Sequence, residues 1–265
     1  MSEIPTALTT AAVAIVALML ATWLVSLAVR NASIVDIVWG AGFVVVAWAV
    51  RLTVDGNDAR QWLLVGMTSI WGLRLSGYLF WRNHGKPEDF RYQAMRRRHG
   101  ARFPLVSLGT VFAFQGLMMW IVSLPVQLGQ ARATPDVGLL AILGVVVWAV
   151  GLGFEAIGDA QLARFKADPA NAGAVMDRGL WRYTRHPNYF GDACIWWGIA
   201  LVAAETGVGA WGIVGAALMT VLLRRVSGVT LLEKSLVKRR PGYADYVART
   251  SPFVPRPPRR TGQPG

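Results

Sequence analysis

Residues 137–158 read Val-Gly-Leu-Leu-Ala-Ile-Leu-Gly-Val-Val-Val-Trp-Ala-Val-Gly-Leu-Gly-Phe-Glu-Ala-Ile-Gly, with one charge, Glu155. A helix needs about 20 apolar residues to cross roughly 30 Å of hydrocarbon, and this stretch has that length. Working outward, similar stretches lie at 7–29, 34–54, 62–81, 105–128, 189–204 and 208–223. The stretch at 189–204 is short and would cross with little tilt, or enter the membrane only in part. The pattern predicts an all-α polytopic membrane protein of about seven transmembrane helices. No signal-peptide cleavage pattern precedes the first span, so that span is expected to stay.

Composition agrees. The chain is 54% hydrophobic and 16% charged, against about 25% charged in a soluble domain. Twelve Trp and 28 Gly suit membrane helices. One Cys, Cys194, excludes an intrachain disulfide, and three scattered His (His84, His99, His186) argue against a metal site. The net charge of +12 is assigned to cytoplasmic loops and anionic headgroups, with no nucleic-acid partner. With the N-terminus outside, 23 of the 27 basic residues fall on the inner side, three on the outer side and Arg74 within a span. The positive-inside rule therefore predicts N-out and C-in. The reading is one membrane domain over 1–252, its cofactor-binding part at about 150–250, followed by a disordered Pro/Arg-rich tail over 253–265. A C-terminal amphipathic helix and turn are expected around 232–236 and 241–246 on the cytoplasmic face.

Four charges interrupt apolar sequence: Asp36, Arg74, Glu155 and, at a span end, Asp159. A charge at bilayer depth costs at least ~2.5–3.5 kcal/mol on insertion scales, so it faces a bundle interior or a cavity. The set points to a polar pocket; buried ion pairs are the plainer alternative for any one of them. Glu155 and Asp159 are four residues apart and share a helix face. Beside Arg164 and Lys166 they suit ribose hydroxyls and phosphates, or simply a solvated helix end.

Residues 178–192 read Arg-Gly-Leu-Trp-Arg-Tyr-Thr-Arg-His-Pro-Asn-Tyr-Phe-Gly-Asp. Pro187 and Asn188 mark a helix start, where free N–H groups attract anions. Arg182, Arg185 and His186 bring positive forks to it, Tyr183 and Tyr189 bring rings that stack, and Gly191 permits close approach. This density of functional groups predicts an anionic, aromatic, nucleotide-like ligand; headgroup anchoring by snorkelling side chains is the plainer alternative. In the loop from Arg82 to Arg102, residues 85–92 mix acids, bases and aromatics that could cover a cofactor. The Arg96-Arg97-Arg98 triplet reads as a headgroup anchor.

Arg185-His186-Pro187-Asn188-Tyr189-Phe190-Gly191-Asp192, followed by Glu233 and Pro241-Gly242-Tyr243-Ala244-Asp245-Tyr246, resembles the membrane steroid 5-alpha-reductase superfamily, most of all its bacterial branch. Residues 34–40 and 85–92 look like that branch too. The resemblance implies a multi-pass protein of the bacterial plasma membrane, with its active site facing the cytoplasm. It also implies NADPH and hydride transfer to the β-carbon of an α,β-unsaturated carbonyl in a lipophilic molecule. Carried over, Asn188 contacts the nicotinamide carboxamide and Asp192 holds the cofactor. Asp159 lies near the adenosine, Lys166 near a phosphate and Arg74 near the pyrophosphate. Glu155 stands where the family has Asn. Arg182, Tyr183, Arg185, His186, Tyr189 and Glu233 complete the expected cofactor set. The family's Glu–Tyr pair on the substrate carbonyl is missing: Trp71 stands at the Tyr position, leaving Asp36 and Tyr78 as candidate catalytic residues. The same features also resemble isoprenylcysteine carboxyl methyltransferases, which would make S-adenosylmethionine the cofactor and a prenyl or other lipid the substrate.

Overall fold

The structure is a computed structural model that describes residues 3–226, 233 and 240–259. Every regular element among these is helical; the one β contact is an isolated parallel bridge between Thr184 and Ser251. Six helical segments are long and apolar enough to cross a membrane: Ile4–Ala28, Ile34–Arg51, Asp58–Asn83, Phe90–Val122, Leu139–Ala167 and Val208–Arg225. We label the first three α1, α2 and α3, and Leu139–Ala167 α8. The fourth is composite: α4 (Phe90–His99), α5 (Phe103–Ser107), a π-helical stretch at Leu108–Ala113 and α6 (Phe114–Val122), with α7 (Leu124–Gln130) following. The helix over the sixth expected stretch, α9 (Pro187–Ala204), is not among the six, because Asn188 and Asp192 occupy its first two turns. The last is built from a 3₁₀ turn at Val208–Gly212, α10 (Ile213–Val221) and a π-helical end at Leu222–Val226.

Between 28 and 39% of each apolar window is buried. The rest presents side chains such as Val13, Leu24, Ile142 and Val146 outward, a larger apolar surface than a protein bathed in water exposes.

The chain divides into two compact units. In the first, Met1–Gly144 with Ile199–Gly215, α2 packs on α1 and α3. A Cβ at Gly40 would lie 2.5 Å from the Gly72 carbonyl oxygen, so only glycine lets these two backbones meet. Glu205 accepts from the Gly138 and Ala141 N–H groups at 3.0 Å and caps the start of α8.

The second unit, Val145–Gly198 with Ala216–Gly265, carries most of the residues expected to form a cofactor site. Here α8 and α9 cross as closely: a Cβ at Gly151 would lie 2.6 Å from the Gly191 carbonyl oxygen, and one at Gly191 would lie 2.5 Å from the Glu155 nitrogen. The segment between the helices is sewn to α8. The Trp181 indole donates to the Gly158 carbonyl at 3.0 Å, and the Leu180 N–H to Gln161 Oε1 at 3.0 Å. A short helix, α11 (Tyr243–Arg249), is tied on by Tyr246, whose hydroxyl donates to the Trp181 carbonyl. Residues 253–259, expected within a disordered tail, run along the same segment. Thr184 Oγ1 donates to the Phe253 carbonyl at 2.8 Å, the Arg256 N–H to the Tyr183 carbonyl at 2.9 Å and the Arg259 N–H to the Arg249 carbonyl at 2.9 Å. The remainder of that tail, and the amphipathic helix expected at 232–236 apart from Glu233, lie outside the described residues.

Candidate functional site

Asn188 sits in the first turn of α9, and its side-chain amide donates to Asp159 Oδ1 at 3.1 Å. One turn earlier on α8 is Glu155, and one turn later on α9 is Asp192. Asp159, Glu155 and Asp192 are all buried, at 5, 3 and 8% exposure. Gly191 and Gly151 let the helices come close enough to gather this polar set. Three carboxyl groups and a carboxamide form a surface rich in acceptors. They suit a ligand offering hydroxyl or amide hydrogens, and they repel phosphate. The ring of Tyr189 stacks on His186 with centroids 5.3 Å apart and planes within 2°.

Arg185 and His186 point elsewhere. Both are buried, and both meet Glu233. Arg185 Nε and Nη2 donate to the two carboxylate oxygens at 2.7 and 3.0 Å, and His186 Nε2 lies 3.1 Å from Oε1. Arg185 Nη1 donates to the Val247 carbonyl at 3.0 Å and to that of Thr250. Four acceptors on distant parts of the chain therefore converge on one guanidinium, which clamps α11 and the strand-like 250–253 segment to the start of α9. Burial alone would raise the Glu233 carboxyl, but hydrogen bonds from His186 and Arg185 outweigh it and hold that group below the usual carboxylate range. Burial beside Glu233 pushes the Tyr243 phenol up to about 12.

Lys166, Arg182 and Tyr183 are exposed on the same unit. A cavity of about 700 Å³ opens beside Arg182, lined also by Asp177, Arg178, Arg249, Thr250 and Arg259. Arg178, Arg249 and Arg259 were not named as site residues from the sequence, although Arg178 opens the 178–192 stretch and Arg259 lies in the arginine-rich tail.

The first unit holds the expected catalytic pair differently. Asp36, in the first turn of α2, accepts from the Tyr92 hydroxyl at 2.8 Å and from Arg91 Nη2 at 3.2 Å. Gln115 Nε2 lies 3.4 Å from the same hydroxyl. Tyr92 is buried, and the turn that brings it in is held by Glu88, which accepts from Arg96 and from the Ala32 N–H at 2.8 Å, and by Ser33, which accepts from the Asp89 N–H at 2.7 Å. Hydrogen bonds from Arg96 and Ala32 outweigh burial and keep the Glu88 carboxyl low. The partner of Asp36 is thus Tyr92. The Tyr78 ring has two guanidiniums near it, Arg74 at 6.0 Å and Arg82 at 5.7 Å from its centroid.

A family model described as a protein of unknown function, DUF1295, matches residues 22–250. The chain belongs to the DUF1295 family. The matched DUF1295 region takes in both polar clusters, from Asp36 to the carbonyl of Thr250. No curated protein and no solved structure matches the chain.

Proposed function

We propose that this protein is an NADPH-dependent membrane reductase of a carbon–carbon double bond conjugated to a carbonyl in a lipophilic molecule, steroid-like, isoprenoid or fatty. The observation that carries the reading is the buried set Glu155, Asp159, Asn188 and Asp192 where α8 meets α9. Its acceptors fit the ribose hydroxyls and carboxamide hydrogens of a nicotinamide nucleotide, and Tyr189 offers a ring beside them. Lys166 and Arg182, exposed on the same unit, supply the positive charge its phosphates need. The resemblance of residues 185–192 to the steroid 5-alpha-reductase superfamily supports the same assignment.

NADPH, when bound, supplies a hydride for the β-carbon of the alkene. The chain must then stabilise charge on the carbonyl oxygen and deliver a proton. Tyr92 holds a proton at its hydroxyl, oriented on Asp36 Oδ1, so we assign it the donor role, with Asp36 positioning it. Apolar spans admit a lipophilic substrate from the bilayer, and a seven-crossing, N-out/C-in arrangement puts the nucleotide on the cytoplasmic side of a bacterial plasma membrane.

The test is cofactor binding by the purified protein. NADPH should raise its thermal midpoint, and the Asp159→Asn and Asn188→Ala variants should lose that shift while remaining folded. Binding of S-adenosylmethionine with no response to NADPH would overturn the reductase reading in favour of a lipid methyltransferase.

A further inference from the structure

The cavity of about 700 Å³ beside Arg182 is lined by none of Glu155, Asp159, Asn188 or Asp192. It is a second polar site with the opposite character. Arg178, Arg182, Arg249 and Arg259 face it, with Asp177 as the one carboxylate. That carboxylate is committed, accepting from Arg249 Nη2. Arg178 is also steadied: its guanidinium lies 5.7 Å from the Phe165 ring centroid and donates to Asn171 Oδ1 at 3.3 Å. The guanidiniums of Arg182 and Arg259 have no acceptor among the described residues, and both side chains are exposed.

The walls are built rather than incidental. Arg259 lines the cavity because its N–H is bonded to the Arg249 carbonyl, and the preceding residues are bonded to Tyr183 and Thr184. Gly179, at φ +58°, turns the chain between Arg178 and Arg182 so that both reach the same space. Like charges gathered round one cavity repel, and a bound anion removes that repulsion. Planar guanidinium forks match the several oxygens of a phosphate, and the volume accommodates a phosphate with its attached group.

We propose that this cavity binds a phosphate group, belonging to an anionic lipid headgroup or to a soluble phosphate ligand. The proposal stands apart from the reductase reading and survives its failure. The probes are inorganic pyrophosphate, titrated into lipid-free detergent-solubilised protein, and phosphatidylglycerol against phosphatidylcholine, compared by retention in native mass spectrometry. The Arg182→Gln/Arg259→Gln double variant removes these two guanidiniums and no side-chain hydrogen bond among the described residues, and its unchanged thermal midpoint confirms folding. The Arg102→Gln/Arg132→Gln control removes equal charge at two exposed positions elsewhere. Roughly 100-fold weaker pyrophosphate binding in the first variant alone, reading each guanidinium as about tenfold, identifies a soluble ligand. Selective loss of phosphatidylglycerol in the first variant alone identifies a headgroup. Equal effects in both variants, or binding of neither probe, overturn the proposal.

Discussion

Replacing Glu233 with Ala tests the clamp that joins α11 to the start of α9. The carboxylate receives two guanidinium hydrogen bonds at 2.7 and 3.0 Å, and Arg185 is only 6% exposed. Removing one partner of a buried ion pair leaves an uncompensated charge and costs about 3–5 kcal/mol. Two of the four acceptors, the carbonyls of Val247 and Thr250, survive the substitution, so the lower end, about 3 kcal/mol, is the better figure. At roughly 2–4 °C per kcal/mol for a chain of this size, the thermal midpoint should fall by about 6–12 °C. Glu233→Gln keeps an acceptor without the charge and should fall between. Limited trypsin digestion reports the location of the effect: cleavage after Arg249 or Arg259 should accelerate before cleavage in the spans. The clamp also has a pH signature. The Glu233 carboxyl is held below its ordinary value of 4.5 in the folded chain. Its stabilisation is therefore complete above pH 4.5 and fades as pH drops through that value toward the folded one. An alanine variant with the parent's midpoint, the parent's digestion pattern and the parent's acid response would refute the reasoning.

Other predictions follow from single contacts. Gly191→Ala should fail to yield folded protein by size-exclusion profile in detergent, because its Cβ would meet the Gly151 and Glu155 backbone with no flexible side chain to yield. Tyr92→Phe removes the 2.8 Å hydrogen bond to Asp36 and should lower stability by about 1–2 kcal/mol; on the reductase reading it should lower turnover far more than NADPH affinity, a split that steady-state kinetics resolves. Glu205→Ala removes the cap on the Gly138 and Ala141 N–H groups and should cost about 1–2 kcal/mol in chemical denaturation.

The long apolar runs were legible because hydrocarbon imposes one length and one chemistry on every crossing. Their ends and interruptions were less so. The stretch over 189–204 reads as a span by its latter half, yet Asp192 lies inside it and the helix begins earlier, at Pro187. The shared Glu155–Asp159 face followed from helical spacing and the start of α9 from Pro187, but the hydrogen bond between Asn188 and Asp159 had no signal in the sequence. The partners of Arg185 did not, since Glu233 is 48 positions away and the guanidinium's other acceptors are backbone carbonyls, which no side-chain motif announces. Tyr92 was read as part of a loop, and Asp36 lies 56 positions from it, so their hydrogen bond comes from tertiary packing alone. The π-helical stretch at Leu108–Ala113 carries no charge, has Thr110 as its polar residue, and left no mark in composition.

That stretch carries a consequence for how the fourth crossing can change. A π turn holds one residue more than the helix around it needs, and each residue of an α-helix turns the chain by about 100°. Downstream of it, Gly116 and Met119 are buried, with Gly116 against Ile15 and Met19, while Phe114 and Leu117 look outward. Deleting one residue between 108 and 113 would remove that surplus and restore regular winding with the following face still toward α1. Deleting a residue within Phe114–Val122 has no surplus to draw on and would swing the residues after it by that angle, so single deletions should be tolerated better in the π stretch than in α6.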